Sequence, residues 1–305
     1  MPASFITVGV DAGMLKSRRT EILTAMVLVA PFVAIYAWLF IYPTIQMVGL
    51  SFTNSPLIGA GDWVGLANYA RLIADKVFRT AVWNTSYFVV LTVIPGTLAA
   101  LIIALMVSRL KGYMQSMVLA AFFLPYILPV TVVYLIWQWM FDLQFGIMQY
   151  VLELFTGERI NVWRRAPWFM PMAALVTVWW TNGFSILLFL AGLRNISSEL
   201  YEAAEIDGAS RWQQFTGITW PLIWPVTVLC LTIQLILQLK IFDQVYLFSI
   251  GGRVNQTMVL VQYIFDQAFV HNNSGYADTV AVALFVIVIV FSILQFQALR
   301  ARGER

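Results

Sequence analysis

The chain alternates between long apolar runs and shorter polar segments. Six runs contain no Asp, Glu, Lys or Arg, and each is at least as long as the roughly 20 apolar residues that cross the hydrocarbon of a bilayer. These runs cover residues 22–42, 81–108, 112–141, 167–193, 212–239 and 279–299. Unpaired backbone groups are too costly in lipid, so each run should be helical. The pattern predicts an all-α membrane protein with six transmembrane helices.

The predicted spans form one membrane domain, residues 22–299, with tails at residues 1–21 and 300–305. Within the runs, the spans are placed near residues 22–42, 84–107, 114–141, 170–193, 221–239 and 279–299. Prolines inside the runs should kink these helices rather than end them, because neighbouring helices can satisfy the freed carbonyl groups. Among these prolines are Pro31, Pro95, Pro125 and Pro129.

The composition agrees with this interpretation. The chain is 61% hydrophobic and 11% charged, which is typical of a membrane protein because the bilayer core rejects charge. Its net charge of +3 comes from basic residues scattered among loops and tails, so no nucleic-acid partner is predicted. A single cysteine excludes a disulfide framework. Tyr42 and Pro43, rather than a cleavage site, follow the first run, which is therefore interpreted as an uncleaved anchor.

Basic residues set the predicted orientation. An even number of spans puts both termini on one side of the membrane, and Lys and Arg flank the spans on that side. These residues are Lys16, Arg18, Arg19, Arg109, Lys111, Arg300, Arg302 and Arg305. Because cytoplasmic loops carry an excess of Lys and Arg, both termini are predicted to be cytoplasmic. The segment 194–220, between the fourth and fifth spans, would then be cytoplasmic as well.

Three segments should lie on the outer side. Residues 51–80 and 142–166 are polar, whereas residues 240–278 are mixed. Within the mixed segment, residues 258–269 have an apolar pattern that is too short and too polar to span a bilayer. They are predicted to form an interfacial or re-entrant helix.

The cytoplasmic segment contains the stretch ELYEAAEIDGASRWQQF, residues 199–215, with four acids in its first nine residues. Either Ser197 or Ser198 can cap a helix whose first turns are acidic, as the helix dipole favours. Gly208 should end that helix by adopting positive φ. Ser210 should then begin a second helix, with Gln213 completing a capping box.

This helix pair is predicted to bind a partner. A connector needs only a few residues, whereas this one uses about 25 on two capped helices. A short helix is only marginally stable alone in water, so it should pack against something. Its acids suggest a basic groove on a cytoplasmic protein. The alternative is an ordinary solvated loop.

The same residues resemble a known motif. The residues that carry the resemblance are Glu202, Ala203, Ala204, Asp207, Gly208, Ala209, Phe215, Ile218, Pro221 and Pro225. They are similar to the EAA loop of the permease subunits of binding-protein-dependent ABC importers. The preceding residues 193–201, LRNISSELY, resemble the carbohydrate-importer version. Further similarity lies in residues 42–53, 63–69 and 242–252, so the resemblance covers most of the chain.

The resemblance implies a mechanism and partners. In this family two permeases form the pore, two ABC ATPase subunits bind ATP and magnesium beneath them, and a periplasmic binding protein delivers the sugar across a bacterial inner membrane. The EAA helix docks into an ATPase, and ATP-driven closure changes the side to which the pore opens. The residues implied in ATPase docking are Glu202, Ala203, Ala204, Asp207, Gly208, Ala209 and Ser210. This chain would bind no cofactor itself.

Two departures from the family pattern are visible. The chain lacks the extra spans and the large periplasmic insertion of the maltose-type permeases, so it resembles the minimal six-span form. The family usually has Thr-x-Gly-Gly-Pro before the last span, where this chain has Ser249 to Arg253, SIGGR. The arginine in place of proline bears on the local backbone and on substrate preference.

Sequence motifs for catalysis are missing. There is no GxxxxGK[ST] and no HExxH, and His271 is the only histidine, so neither an enzyme nor a metal site is predicted. Sugar contacts should come from amides and aromatic faces inside the bundle. The candidates for the substrate path are Tyr134, Gln138, Trp179, Trp180, Asn182, Gln234, Gln238, Asp243 and Arg253. Among them, Arg253 would favour an anionic sugar.

The sequence leaves alternatives open for these residues and for the whole chain. Any one of these amides could instead be an interhelical hydrogen bond, and the tryptophans could form an interfacial belt. The whole chain could be an ion-coupled secondary transporter, but that class needs ionisable residues inside the membrane, and the six runs have none. It could also be a membrane scaffold that transports nothing.

Overall fold

The computed structural model describes residues 12–249 and 256–303, and these residues form a bundle of α-helices. The helices are α1 Ala12–Tyr36, α2 Tyr42–Leu50, α3 Ala67–Ala74, α4 Lys76–Val107, α5 Gly112–Ile127, α6 Val130–Met140, α7 Ile147–Thr156, α8 Ala166–Arg194, α9 Ser198–Ile206, α10 Arg211–Gln214, α11 Trp220–Leu239, α12 Asp243–Phe248, α13 Leu260–Phe265 and α14 Ser274–Gly303. Single π-helical turns lie at Ala37–Ile41, Phe215–Thr219 and Asp266–Val270.

Five of the six predicted spans are single helical stretches long and apolar enough to cross a membrane. They are Thr24–Leu50, Lys76–Val107, Pro167–Arg194, Arg211–Leu239 and Ser274–Gln297. Most of them extend beyond the predicted bounds. The last span begins at Ser274 rather than at residue 279, so Asp278 lies in its second turn. Asp278 lies just before the charge-free run 279–299, so this helix extends beyond that run at its first turns.

The third span is broken, whereas the sequence predicts one kinked helix over residues 114–141. The chain bends by 102° between α5 and α6. The two helices together are long enough for one span, but neither helix is a span by itself. Leu128 precedes Pro129 and is extended, with ψ 137°, because proline disfavours the helical conformation of the residue before it. The indole N–H of Trp180 donates to the Leu128 carbonyl at 3.1 Å and so satisfies a group freed by the break.

Helix α8 holds the bundle together through contacts with α4 and α5, and α11 packs against α4, α8 and α14. At Gly183, α8 approaches α5 very closely. A Cβ there would lie 2.5 Å from the carbonyl oxygen of Phe122 and 2.9 Å from the Cα of Phe123. Only glycine permits that approach, since both neighbours are backbone atoms.

The two ends of the bundle differ in what they carry. The end with α9 and α10 (the hairpin end) also holds the last turns of α4 and α8. The opposite end (the distal end) gathers α3, α7, α12, α13 and the first turns of α4 and α14. The predicted short helix within residues 258–269 is present as α13, but its Leu260 and Tyr263 are buried against α4 and α14. This helix is therefore packed against the bundle through one face, and its predicted place at the membrane interface stays a prediction.

The first span stands apart from this bundle. None of the most hydrophobic window of Thr24–Leu50 is buried inside the chain, whereas half or more of the corresponding windows in Lys76–Val107 and Pro167–Arg194 are buried. Contact with the rest of the bundle comes from α2, which packs on α14. The remaining apolar surface of this span needs lipid or another protein as its cover.

Candidate functional site

The turn between α9 and α10 depends on Gly208. This residue has φ +76°, a conformation that a side chain disfavours. Its N–H donates to the Glu205 carbonyl at 3.1 Å, and the N–H of Ala209 donates to the Ala204 carbonyl at 2.9 Å. This pair of bonds is the Schellman arrangement that ends many helices. It confirms the expected positive φ at Gly208.

Both helices of the hairpin begin with the predicted kind of cap. The Ser197 hydroxyl accepts the N–H of Glu199 at 3.3 Å, so Ser197 rather than Ser198 is the N-cap of α9. The Ser210 hydroxyl accepts the N–H of Gln213 at 3.4 Å, and the Gln213 side chain accepts the N–H of Ser210 at 2.7 Å. This capping box satisfies N–H groups that the start of a helix leaves free.

The hairpin presents acids and apolar groups to its surroundings. Glu199, Glu202, Glu205 and Asp207 are exposed, and the ion pairs found in the described part of the chain involve other residues. Large apolar side chains lie beside these acids and are also uncovered. They are Ile206, which is 87% exposed, and Trp212, which is 71% exposed. Of the other residues implied in docking, Ala203, Gly208 and Ser210 are exposed, and Ala204 and Ala209 are half-buried.

The hairpin is joined to the bundle through α11. The hydroxyls of Tyr201 and Thr219 lie 2.8 Å apart, and α10 continues through the π-helical turn into α11 without an intervening loop. A cavity of about 550 Å³ lies between the hairpin and the end of α4, and its wall includes Arg109, Glu205 and Arg211. No sequence pattern predicts the Tyr201–Thr219 contact, because the two residues belong to different helical segments.

Inside the bundle, amides of α11 face α8. The side-chain Nε2 of Gln234 donates to the Ser185 hydroxyl at 3.0 Å, and the side-chain Nε2 of Gln238 donates to Oε1 of Gln234 at 3.2 Å. Asn182 is 6% exposed, and its side-chain oxygen has no hydrogen-bond partner within the described residues. We call Asn182, Ser185, Gln234 and Gln238 the polar track. Ser185 was missed, although its i, i+3 spacing from Asn182 put both on one face of α8.

Tyr134 and Gln138 lie elsewhere, in a pocket of about 370 Å³ at the distal end. Asn161, Trp163 and Arg164 complete its wall, together with Phe248 and the turn after α6. The sequence places Tyr134 and Gln138 on one face of a helix, and in the structure both line this pocket. The contribution of residues 161–164 was not predicted, because they come from a loop with no periodic pattern. We call this cavity the distal pocket.

The remaining candidates are spread over the bundle. Trp179 is 41% exposed and contacts Trp137 edge to face, with ring centroids 5.4 Å apart. The indole N–H of Trp180 already donates to the Leu128 carbonyl. Asp243 is exposed at the first turn of α12. Arg253 lies outside the described residues. The structure therefore does not bring the nine candidates into one site.

A further cluster at the distal end escaped the sequence. The Asp75 carboxylate accepts the hydroxyls of Tyr263 and Tyr276, the latter at 2.6 Å, and also the N–H groups that begin α4. The Arg71 guanidinium lies 3.9 Å from the centroid of the Tyr276 ring. Burial raises the pKa of Asp75, but these hydrogen bonds lower it more, so the pKa lies below its ordinary value. We call Asp75, Tyr263 and Tyr276 the distal clamp.

Comparison with known proteins agrees with this architecture. The chain is 30% identical over 283 residues to the sulfoquinovosyl glycerol transport system permease protein of Agrobacterium fabrum, covering 92% of this chain and 91% of that protein. It is 32% identical over 282 residues to the lactose transport system permease protein of Rhizobium radiobacter, covering 90% and 93%. A bacterial ABC transporter involved in the import of the acidic polysaccharide alginate has the same fold, with a TM-score of 0.80 at 23% identity over 94% of this chain and 98% of that one.

Residues 96–303, more than half of the chain, match the family described as the inner membrane component of binding-protein-dependent transport systems. The match includes the hairpin, the polar track and every span after the second. With its several membrane-spanning helices, the chain belongs to this family of binding-protein-dependent transport components and is a multi-pass protein of the inner membrane.

Proposed function

We propose that this chain is a permease subunit of an ATP-driven ABC importer whose cargo is a sugar or a sugar derivative. The carbohydrate assignment rests on relatives that align over about nine tenths of the chain and are named for sulfoquinovosyl glycerol and lactose transport. A relative named for arabinooligosaccharide transport is 31% identical over 272 residues. The observation that carries the ATP coupling is the exposed, self-capped hairpin of α9 and α10.

The hairpin is the docking element for an ATPase subunit. Its acids are exposed without ion pairs in the described residues, so they are available to basic groups on a partner. Ile206 and Trp212 add exposed apolar surface, whose contact with water is unfavourable. Apolar patches rimmed by polar residues mark interaction sites. Ala203 is small and allows a partner backbone to come close. ATP and magnesium would bind to the partner, since this chain has no GxxxxGK[ST] sequence of its own.

Movement of the ATPase would reach the substrate path through α11. The capping box and the Schellman turn make the hairpin a rigid unit, and the Tyr201–Thr219 hydrogen bond joins it to the start of α11. The same helix carries Gln234 and Gln238, which are 15 and 19 residues after Thr219. A tilt of the hairpin would therefore shift these amides relative to Ser185 on α8, and this shift would open the path to one side or the other.

The polar track is the part of the path within the membrane. Its amides are paired with each other and with Ser185, which agrees with the alternative of interhelical hydrogen bonds in the state described here. Such bonds average only about 0.6 kcal/mol within a membrane, so sugar hydroxyls can replace them at little cost. The side-chain oxygen of Asn182, which has no partner among the described residues, adds an acceptor for a sugar hydroxyl.

The assembly needs further subunits. The uncovered face of Thr24–Leu50 is suited to lipid and to a second permease, which would also close the substrate path. A periplasmic sugar-binding protein would dock at the distal end, and both chain termini and the hairpin would be cytoplasmic. A bacterial alginate ABC transporter has been solved in complex with a periplasmic protein that carries an alginate pentasaccharide. That complex is the arrangement we propose for this chain.

The other two candidate functions receive less support. An ion-coupled transporter would use an ionisable residue within the membrane, and Asp278 is half-buried there with one side-chain oxygen unpaired in the described residues. It lies only one turn from the distal start of α14, however, and so near one end of that helix. A scaffold would not require the spacing of caps and glycine that forms the hairpin.

Affinity purification of the tagged chain from native membranes, followed by mass spectrometry, tests the assignment. We expect an ABC ATPase and a second permease with an EAA loop to co-purify with the wild type. Glu202→Lys should deplete the ATPase and retain the second permease. Asp62→Lys makes the same charge change at an exposed acid in the loop between α2 and α3 and should retain both. Recovery of the chain alone would overturn the proposal, and unchanged ATPase with Glu202→Lys would remove the docking role.

A further inference from the structure

Arg164 differs from the other arginines in the connection between α6 and α8. Arg159 lies 3.0 Å from a carboxylate oxygen of Glu153, and Arg165 lies 2.9 Å from one of Glu158. Arg164 has no carboxylate partner among the residues that the structure describes, and it lines the distal pocket. The connection therefore holds two arginines in ion pairs and leaves the third at a cavity.

The wall of the distal pocket combines aromatic and amide groups. Trp163 and Phe248 are stacked, with ring centroids 4.2 Å apart, and Tyr134 meets Phe248 edge to face at 5.4 Å. Gln138 and Asn161 contribute amides that can donate and accept hydrogen bonds. A volume of about 370 Å³ is within the range of small-molecule sites. Apolar ring faces beside a few convergent polar groups suit a sugar ring.

The pocket also contains a carboxylate, which must be weighed against binding of an anion. The Asp142 side chain accepts the N–H of Gln144 at 2.8 Å and that of Phe145 at 3.3 Å. These bonds hold the carboxylate in the turn after α6 and offset part of its charge. Within the part of the chain that the structure describes, the Arg164 guanidinium has no such hydrogen-bond partner, and a guanidinium forms its strongest hydrogen bonds with an anionic acceptor.

We propose that the distal pocket is a docking subsite for a saccharide that carries an acidic group, a carboxylate or a sulfonate. Arg164 binds the acidic group, while the aromatic wall and the amides of Gln138 and Asn161 bind the ring. This inference rests on the proposed function, because it takes the distal end to face the compartment from which the sugar arrives. It adds a residue with a defined pocket to Arg253, for which the sequence suggested a similar preference for an anionic sugar.

The test uses the membrane complex, purified without its soluble binding protein and reconstituted in nanodiscs. Binding of methyl α-D-glucuronide and of methyl α-D-glucoside, which differ in the acidic group, is measured by ligand-observed NMR titration. We expect the glucuronide to bind about tenfold more tightly, as one charge-assisted contact would give. Arg164→Gln should reduce the affinity for the glucuronide to that for the glucoside. Arg165→Gln, which removes a paired arginine outside the pocket, should leave both affinities unchanged.

A second variant gives an independent readout of the same charge. Gln138→Glu keeps the size of the side chain and adds a carboxylate to the pocket wall, so it should weaken the glucuronide more than the glucoside. Equal binding of the two sugars to the wild type, or an unchanged preference in Arg164→Gln, would overturn selection for an acidic group. No binding of either sugar would overturn the subsite itself. Co-purification of the ATPase with Arg164→Gln distinguishes these outcomes from a failure of the proposed function.

Discussion

The hairpin end and the distal end are stabilised by different kinds of hydrogen bond. At the hairpin end, the bonds that shape the turn join residues close in sequence, such as Ser210 with Gln213. At the distal end, Asp75 bonds to Tyr263 and Tyr276, which are 188 and 201 residues away along the chain. The first end can form as soon as its own segment is helical. The second forms only when most of the chain has folded.

This contrast matches what each end would have to do. A docking element that moves with a partner should keep its own shape while it moves, and local caps provide that. The distal clamp instead joins the start of α4 to α13 and α14, and the Thr279 hydroxyl adds a bond to the Ser51 carbonyl at 3.0 Å. We therefore expect substitutions at the distal end to affect folding most and those at the hairpin to affect coupling most.

The largest loss of stability is expected for Asp75→Ala. It removes the acceptor of both tyrosine hydroxyls and the cap of α4, and hydrogen bonds to a charged group are each worth about 1.5–3 kcal/mol. We expect the free energy of unfolding to fall by about 3–4 kcal/mol, as measured by equilibrium unfolding in mixed micelles. Asp62→Ala, at an exposed acid of the same end, should change it by less than about 0.5 kcal/mol. Equal effects would contradict the clamp.

The clamp should also respond to acid. Because the pKa of Asp75 is lowered by folding, its contribution is fully present above the ordinary value of about 3.9. It is lost as the pH falls through the lowered pKa of the folded state. Unfolding curves should therefore show the same difference between wild type and Asp75→Ala from pH 5 to 8, and a shrinking difference below about pH 4. If the difference shrank between pH 8 and 5 instead, its pH dependence would come from a titratable group other than Asp75.

Gly275→Ala should be the next most damaging change. A Cβ at this position would lie 2.1 Å from the carbonyl oxygen of Thr53 and 3.1 Å from the backbone nitrogen of Ser55, so the start of α14 would have to move. Overpacking of this kind costs about 1–3 kcal/mol. Gly49→Ala is a matched control, since a Cβ there meets nothing within 4 Å. The control should be neutral or slightly stabilising, again by unfolding in mixed micelles.

At the hairpin, Gly208→Val should be worse than Gly208→Ala, although a Cβ would have open space around it. The cost comes from the backbone, because positive φ costs a residue with a side chain about 1–2 kcal/mol and a β-branched one more. ATPase co-purification and uptake should fall in the order glycine, alanine, valine. Gly217→Ala, with similar open space and no positive φ, should keep both. Equal activity of the alanine and valine variants would refute the role of the turn.

The smallest effect on stability is expected for Tyr201→Phe. It removes the hydrogen bond to Thr219 at the edge of the bundle, which is worth about 0.5–1.5 kcal/mol. Its effect on coupling should be larger, because the hairpin would lose a contact with α11. We expect ATP hydrolysis to continue while uptake per ATP falls, measured in proteoliposomes that contain the whole importer. Uptake and hydrolysis that fall together would point to loss of the complex instead.

Local patterns in the sequence predicted much of this molecule. Five spans followed from runs without charge, because crossing lipid depends on composition over about 20 consecutive residues. The capping box of Ser210 and Gln213 and the positive φ of Gly208 followed from spacing within a few residues. The sequence predicted a kink in the third span but not its full break. Pro125 and Pro129 indicate a kink, but the angle of 102° is accompanied by the bond from Trp180, which arrives from another helix.

The tertiary structure alone decided which distant groups meet. Gln234 and Gln238 were recognised as one face of α11, but their partner Ser185 depends on how α8 and α11 pack. The same packing separates the polar track from the distal pocket, although the sequence analysis predicted that their residues belong to one substrate path. Arg164 and the distal clamp have no local signature at all. Hydrogen bonds between residues nearly 200 positions apart cannot be read from spacing, since only the packed helices set those distances.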